Sequence, residues 1–177
     1  MIRANKLGAL GLLISDTMER VLGDVSPSAA ALLLTVHHWP GITATELAAV
    51  AGVTQPTATR VLDGLERRGW LRRQARGGRT TPLRLTAAGQ RQAKSLQAAR
   101  LQALDRLLAP VPIPEQAAFE RTLAKILAAA TTSRAFARTT CRLCDHAVCD
   151  GPDCPIGTRA NQLDRLHRES RRRGERP

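Results

Sequence analysis

The sequence predicts a mainly α fold in which a helix-turn-helix is followed by a small β wing and flanked by long helices on both sides. Three observations predict it. Apolar residues recur at helical rather than alternating spacing through most of residues 5–138. Two adjacent helix starts, at Thr43 and Thr54, are separated by the turn-former Gly52. A strand pair with a basic glycine turn follows at once. The 177 residues suit one compact domain or two small ones. No run approaches a membrane-spanning length of uncharged apolar residues. The amino-terminal segment carries Arg3 and Lys6, but Leu7 to Ile14 is short, contains Gly8 and Gly11, and leads into Asp16, Glu19 and Arg20. It has no small-residue cleavage site, so no signal peptide is expected, and the expected compartment is the cytoplasm.

Each element has its own signal. Residues 5–22 place Leu7, Leu10, Ile14, Met18 and Val21 on a helix that Gly23-Asp24 ends. Ser26 caps a second helix with Pro27 at its first position, where the missing N–H costs nothing. Its run from Ala29 to Val36 is apolar on all sides, which predicts a buried helix, and it stops at Pro40-Gly41. Thr43-Ala44-Thr45-Glu46 is a capping box. Thr54 caps the next helix, which turns Val61, Leu62 and Leu65 inward and ends at Gly69. Trp70 to Gln74 and Leu83-Arg84-Leu85 read as the strands of the wing, joined by the turn Ala75 to Thr80. Thr86 caps a long helix with Leu96, Leu101, Leu104, Leu107 and Leu108, which Pro110, Pro112 and Pro114 break. A final helix is expected from Glu115 to about Arg138, and the last ten residues as a mobile basic tail.

Charge points to the kind of partner. Lys and Arg total 27 against 15 Asp and Glu, a net charge of +12. Only Lys6, Lys94 and Lys125 are lysine, and arginine suits phosphate because its planar fork bonds two oxygens at once. From residue 60 to residue 84 the arginines 60, 67, 68, 72, 73, 76, 79 and 84 face only Asp63 and Glu66 as acids. An anionic partner is expected, with nucleic acid ahead of a membrane surface. The second helix of the pair presents Thr54, Gln55, Thr57 and Arg60 at its exposed amino-terminal end, where a helix-turn-helix meets base edges and phosphates. In the wing, Arg76 and Arg79 are placed to reach the minor groove.

The order of elements and the strings Ile42 to Ala48, Gln55 to Leu71, Arg79 and Leu85 to Gly89 resemble the MarR family of winged-helix transcriptional regulators. The resemblance covers residues 5–138. Where that family's wing often carries an Asp two residues before its Arg, this chain has Gly77. The resemblance implies a homodimer whose long amino- and carboxy-terminal helices interlock across a two-fold axis. Such a dimer would read a pseudo-palindromic double-stranded operator with half-sites roughly 34–36 Å apart, as a regulator, a repressor first, that responds to an effector. The expected layout is residues 1–40 for amino-terminal dimerisation and support helices and 41–86 for the winged helix-turn-helix. Residues 87–140 follow as carboxy-terminal dimerisation helices, 141–157 as a cysteine-rich loop and 158–177 as a basic tail.

The cysteines set the chain apart. Cys141, Cys144, Cys149 and Cys154 have the spacing of a zinc knuckle with Cys at its third position. Four thiolates can close a tetrahedral zinc site or hold an iron–sulfur cluster, and the loop has too few apolar residues to fold on a core of its own. Zinc is the expected occupant, with an iron–sulfur cluster or disulfides as the other readings. His146 lies within the loop as a possible substitute ligand. DNA affinity is expected to respond to a small effector or to the metal or redox state of these cysteines, since losing the metal would loosen the last dimer helix, just before Cys141, and change the half-site spacing. His38 and Trp39, with His37, end the second helix. They read either as a helix carboxy-terminus satisfied by cationic imidazoles or as the wall of an effector pocket. An alternative reading makes the cysteine loop the reader of RNA or single strands, although it has no aromatic residue for base stacking. No paired carboxylates, nucleophile triad or phosphate-binding glycine loop suggests an enzyme.

Overall fold

The structure is a computed structural model, and it describes residues 1–74, 82–172 and 174. Among these residues there are eight α-helices and one two-stranded sheet, and the main core is built around α2 (Pro27–His38). Every residue of α2 from Ala30 to Val36 is buried. An apolar helix of this kind needs cover on all sides, and α3 (Ala44–Ala51), α4 (Gln55–Arg67), α5 (Ala87–Leu108) and strand β2 (Leu83–Leu85) pack against it. Leu32, Leu33 and Leu34 meet Leu47 of α3, Leu62 and Leu65 of α4, and Leu71 and Leu83 of the sheet in one cluster. The sequence placed α2 among the supporting helices, and it packs against both helices of the helix-turn-helix as well as α5 and β2.

The local signals explain the boundaries. Ser26 Oγ accepts the Ala29 N–H at 3.2 Å to start α2. The capping box of α3 closes both ways, Thr43 Oγ1 accepting the Glu46 N–H and Glu46 Oε2 accepting the Thr43 N–H at 2.9 Å. Gly52 then takes a left-handed φ of 67°, which lets its N–H reach back to the carbonyls of Ala48 and Ala49. Strand β1 (Leu71–Arg73) pairs antiparallel with β2, Leu71 opposite Leu85.

A single backbone junction joins the wing to α5. The Trp70 carbonyl accepts the Thr86 N–H at 3.0 Å. Thr86 Oγ1 donates to the Gly69 carbonyl at 2.6 Å and accepts the Gly89 N–H at 3.0 Å. Gly89 is pressed so closely on this turn that a Cβ there would lie 1.9 Å from the Trp70 carbonyl oxygen.

Outside this unit, α1 (Ile2–Leu22) runs along α5, and α6 (Ile113–Ala130) packs on α8 (Pro155–Arg172). Two expectations change here. The helix expected from Glu115 to about Arg138 is two helices, α6 and α7 (Arg134–Thr140). Thr131 is extended at their junction and Ser133 caps α7 by accepting the Phe136 N–H at 3.0 Å. The long helix ends at Leu108, ahead of the three prolines, and Pro114 sits in the first turn of α6, where no N–H is needed. The expected basic tail is also largely helical: α8 begins at Pro155 and continues to Arg172, with Ile156 and Ala160 buried one turn apart. Arg134 of α7 holds it through Asp164 Oδ2 at 2.7 Å. The expected division at residue 157 therefore does not hold, because the cysteine turns lie between α7 and α8 and both helices pack together. No helix among the described residues is long and apolar enough to cross a membrane.

The Gly89 junction sets a test. Gly89→Ala should lower unfolding free energy by about 1–3 kcal/mol or more, because the rigid Trp70 backbone must move. Urea denaturation reads it; a change within experimental error would show that the turn tolerates the methyl group.

Candidate nucleic-acid interface and an adjoining cleft

Helix α4 shows one face to the core and the other to solvent. Ala58, Leu62 and Leu65 are buried, while Gln55, Thr57 and Arg60 are exposed. The amino-terminal end is pre-ordered. Thr54 Oγ1 lies 2.9 Å from Thr57 Oγ1 and accepts the Thr57 N–H. Gln55 Nε2 donates to Thr45 Oγ1 of α3 at 2.8 Å. Of the sequence-predicted contacts, Thr54, Gln55, Thr57 and Arg60 thus share one exposed end, with Gln55 and Thr57 already bonded to neighbours. Arg76 and Arg79 lie outside the described residues.

The sequence reading missed a clamp beside this face. Arg73 of β1 bonds Asp63 of α4 and, at 2.6 Å, Glu66. The Asp63 hydrogen bond raises the affinity of the guanidinium for its proton further. The two acids of the helix are therefore neutralised by the wing strand rather than left facing a polyanion. Their spacing at i and i+3 beside a basic strand was the available signal. Arg68 is drawn away to Asp24 at 3.0 Å and lies over the Trp70 ring, 4.9 Å from its centroid.

Behind the helix-turn-helix, α7 and the cysteine turns enclose a cleft of about 810 Å³. Trp39, Ile42, Glu46, Arg138, Arg142 and His146 are among the residues that line it. Trp39 is thus in the cleft wall, whereas His38 is not among the lining residues. The His38 ring instead meets His146 at 5.2 Å between centroids, and Trp39 meets His146 at 4.4 Å. His146 Nε2 lies 3.2 Å from the Cys141 carbonyl. Burial, reinforced by His146 and His37, lowers the pKa of His38. At the end of α2 the Trp39 N–H bonds the Thr35 carbonyl. His37 lies 2.6 Å from Gln90 of α5 through Nδ1.

All four cysteines are free, and they gather in one cluster with Ala137, Ile156 and Ala160. Each of Cys141 and Cys149 feels more than one of the other cysteines, Cys144 foremost for Cys141 and Cys154 foremost for Cys149. The hydrogen bond from Cys141 brings Cys144 down to about 6, aided by Arg100, against burial, and the same bond pushes the Cys141 thiol up. Burial, then its neighbour Cys154, pushes Cys149 up to about 11. Among the described residues, no three His, Cys, Asp or Glu side chains converge as a ready-made metal cage. His146 is turned to Trp39 and His38.

Against known proteins, residues 25–77 match the MarR family model. The HTH-type transcriptional repressor Rv2887 of Mycobacterium tuberculosis is 39% identical over 89 residues, which are 49% of this chain and 64% of the relative. Its crystal structure with DNA superposes with a TM-score of 0.57 at 29% identity over 70% of this chain and 95% of that one. Its complex with p-aminosalicylic acid gives 0.56 at 30% identity, covering 70% and 96%. MepR, a regulator of the Staphylococcus aureus efflux pump MepA, shares the fold at a TM-score of 0.65 and 18% identity, over 71% of this chain and 96% of its own. The chain belongs to the MarR family. The aligned segment spans a little under two thirds of the curated relative, and α7, the cysteine turns and α8 lie beyond the family match.

The cap at the start of α4 gives a second test. Thr54→Ala removes the acceptor of the Thr57 N–H and should cost about 1 kcal/mol of stability. Chemical denaturation checks it; an unchanged midpoint would mean that solvent or Gln55 replaces the cap.

Proposed function

We propose that the protein is a homodimeric, sequence-specific DNA-binding transcriptional regulator, a repressor in the first instance, and not an enzyme. The observation that carries this reading is the exposed amino-terminal end of α4. It presents Gln55, Thr57 and Arg60 beside a wing strand whose Arg73 cancels the helix's acids. Rv2887, a repressor by name and solved with DNA, supports it. Gln55 and Thr57 would exchange their present partners for base edges, and Arg60 would take a guanine or a phosphate. The single-strand reading has no support, because the loop from Cys141 to Cys154 has no Phe, Tyr or Trp and its His146 ring is turned to His38 and Trp39.

Selecting bound duplexes from a random pool, then titrating the winner by anisotropy over a salt series, tests the reading. Affinity should fall steeply with salt, at about 0.9 log units per log unit of salt for each phosphate neutralised. Arg60→Ala should weaken binding by about 1–3 kcal/mol if it contacts a base, or reduce the salt slope by about one if it contacts phosphate. Failure to enrich any sequence, or a flat salt response, would sink the proposal.

The dimer rests on exposed apolar surface. Ile2, Leu7, Leu12, Leu13 and Ile14 of α1 and Ile113 and Ile126 of α6 are all exposed in the single chain. An apolar stripe this extensive calls for a cover, and a second copy would supply α1 and α6 in turn. Sedimentation should find a dimer that Leu12→Asp converts toward monomer; a monomeric wild-type protein would refute this part. A small-molecule effector would enter the cleft walled by Trp39 and Arg138; that Rv2887 has been solved in complex with p-aminosalicylic acid supports an effector of this kind.

A further inference from the structure

The carboxy-terminal module has almost nothing apolar to hold it together. Of the residues buried in its cluster, Ala137, Ile156 and Ala160 are small or single, and the other two are Cys141 and Cys154. Cys144 and Cys149 pack against the same cluster. A segment with so little core needs a cross-link or a metal to be stable.

The backbone around the sulfurs is arranged in tight turns. Cys141 ends α7, and the Cys144 N–H bonds its carbonyl at 2.9 Å. The Cys149 N–H bonds the Asp145 carbonyl at 2.8 Å. Gly151 takes φ 63° to open a short 3-10 turn that delivers Cys154 to the start of α8. There the Gly157 N–H donates to Cys154 Sγ at 3.2 Å, the kind of bond that supports a thiolate ligand. Gly157 leaves that sulfur room, since a Cβ in its place would lie 3.2 Å from it.

The same turns are wedged against the helix-turn-helix. Leu143, between two of the cysteines, packs on the main core, and His146 sits against the end of α2. Thr139 Oγ1 of α7 donates to the Ala49 carbonyl of α3 at 3.3 Å, and its methyl group faces Gly52 in the turn before α4.

We propose that Cys141, Cys144, Cys149 and Cys154 bind one thiophilic metal centre through four thiolates, and that the centre holds α7 and its turns against α3. Zinc and an iron–sulfur cluster share this ligand chemistry. The centre closes when the two cysteine pairs, each on its own turn, converge on it. Loading then braces the α3–α4 turn, and removal frees it. The DNA consequence rests on the DNA-binding function proposed above; the metal site does not.

The test uses the full chain purified without oxygen. Elemental analysis, absorbance and X-ray absorption should find either about one zinc per chain in a four-sulfur shell or iron with sulfide and a band near 400 nm; either result supports the site and identifies its occupant. Cys144→Ser and Cys149→Ser should lose the metal, whereas His146→Ala should retain it. If the serine variants do not fold, thiol alkylation of the wild-type protein replaces them: all four cysteines should be protected by the metal and exposed by a chelator. Protein that stays metal-free after incubation with zinc, and with iron and sulfide, under reducing conditions would overturn the site. So would a double Cys144→Ser, Cys149→Ser variant that keeps the metal. For the bracing, chelation should weaken binding to the selected duplex by about 5–150-fold and reloading should restore it; an unchanged affinity would overturn the coupling. A metal-bound protein with no duplex affinity at all would refute the proposed function instead.

Discussion

A helix apolar on every side cannot stay in water, and α2 is such a helix. Its residues Ala30 to Val36 are buried, so each neighbouring element must present an apolar face to it. Burying Leu32, Leu33 and Leu34 is worth about 1.5–3 kcal/mol each, more than any surface ion pair in the molecule supplies. That demand brings α3, α4 and β2 to one centre. It also sets which way α4 points: with Ala58, Leu62 and Leu65 committed inward, Gln55, Thr57 and Arg60 can only face outward.

Around that centre, precise placement comes from polar backbone groups rather than from apolar area. The capping box of α3, the left-handed Gly52 and the Thr54 cap define the angle between α3 and α4 within a few residues. The Trp70–Thr86–Gly89 junction then ties the wing to the root of α5, the helix along which α1 runs. The reading surface and the apolar α1 face are thus linked through α5 by packed, hydrogen-bonded structure.

The carboxy-terminal module follows a different rule. It buries little, and its placement depends on specific contacts: Arg134 to Asp164, Thr139 to Ala49, and His146 between His38 and Trp39. Those partners are far apart in sequence, so no local pattern announces them. The periodicity of α8 was present in Ile156 and Ala160, one turn apart, but its basic residues masked it as a solvated tail. The break at Thr131 was also written locally, in a β-branched pair followed by the cap Ser133. It was overlooked because the apolar spacing of Phe119, Leu123, Ile126 and Leu127 runs up to it without a glycine or proline.

What the sequence determined by itself was whatever short-range chemistry specifies: helix starts at Ser26, Thr43, Thr54 and Thr86, the Gly52 turn, the buried character of α2 and the exposed end of α4. Caps and periodicity act within a turn or two, so they can be read without knowing the fold. Tertiary structure alone decided that Arg73 neutralises Asp63 and Glu66, that Gly89 must be a glycine because the Trp70 carbonyl lies beneath it, and that α7, which leads into the cysteine turns, rests on α3. Each of these depends on a distance between residues separated in the chain, set only when α2 is enclosed.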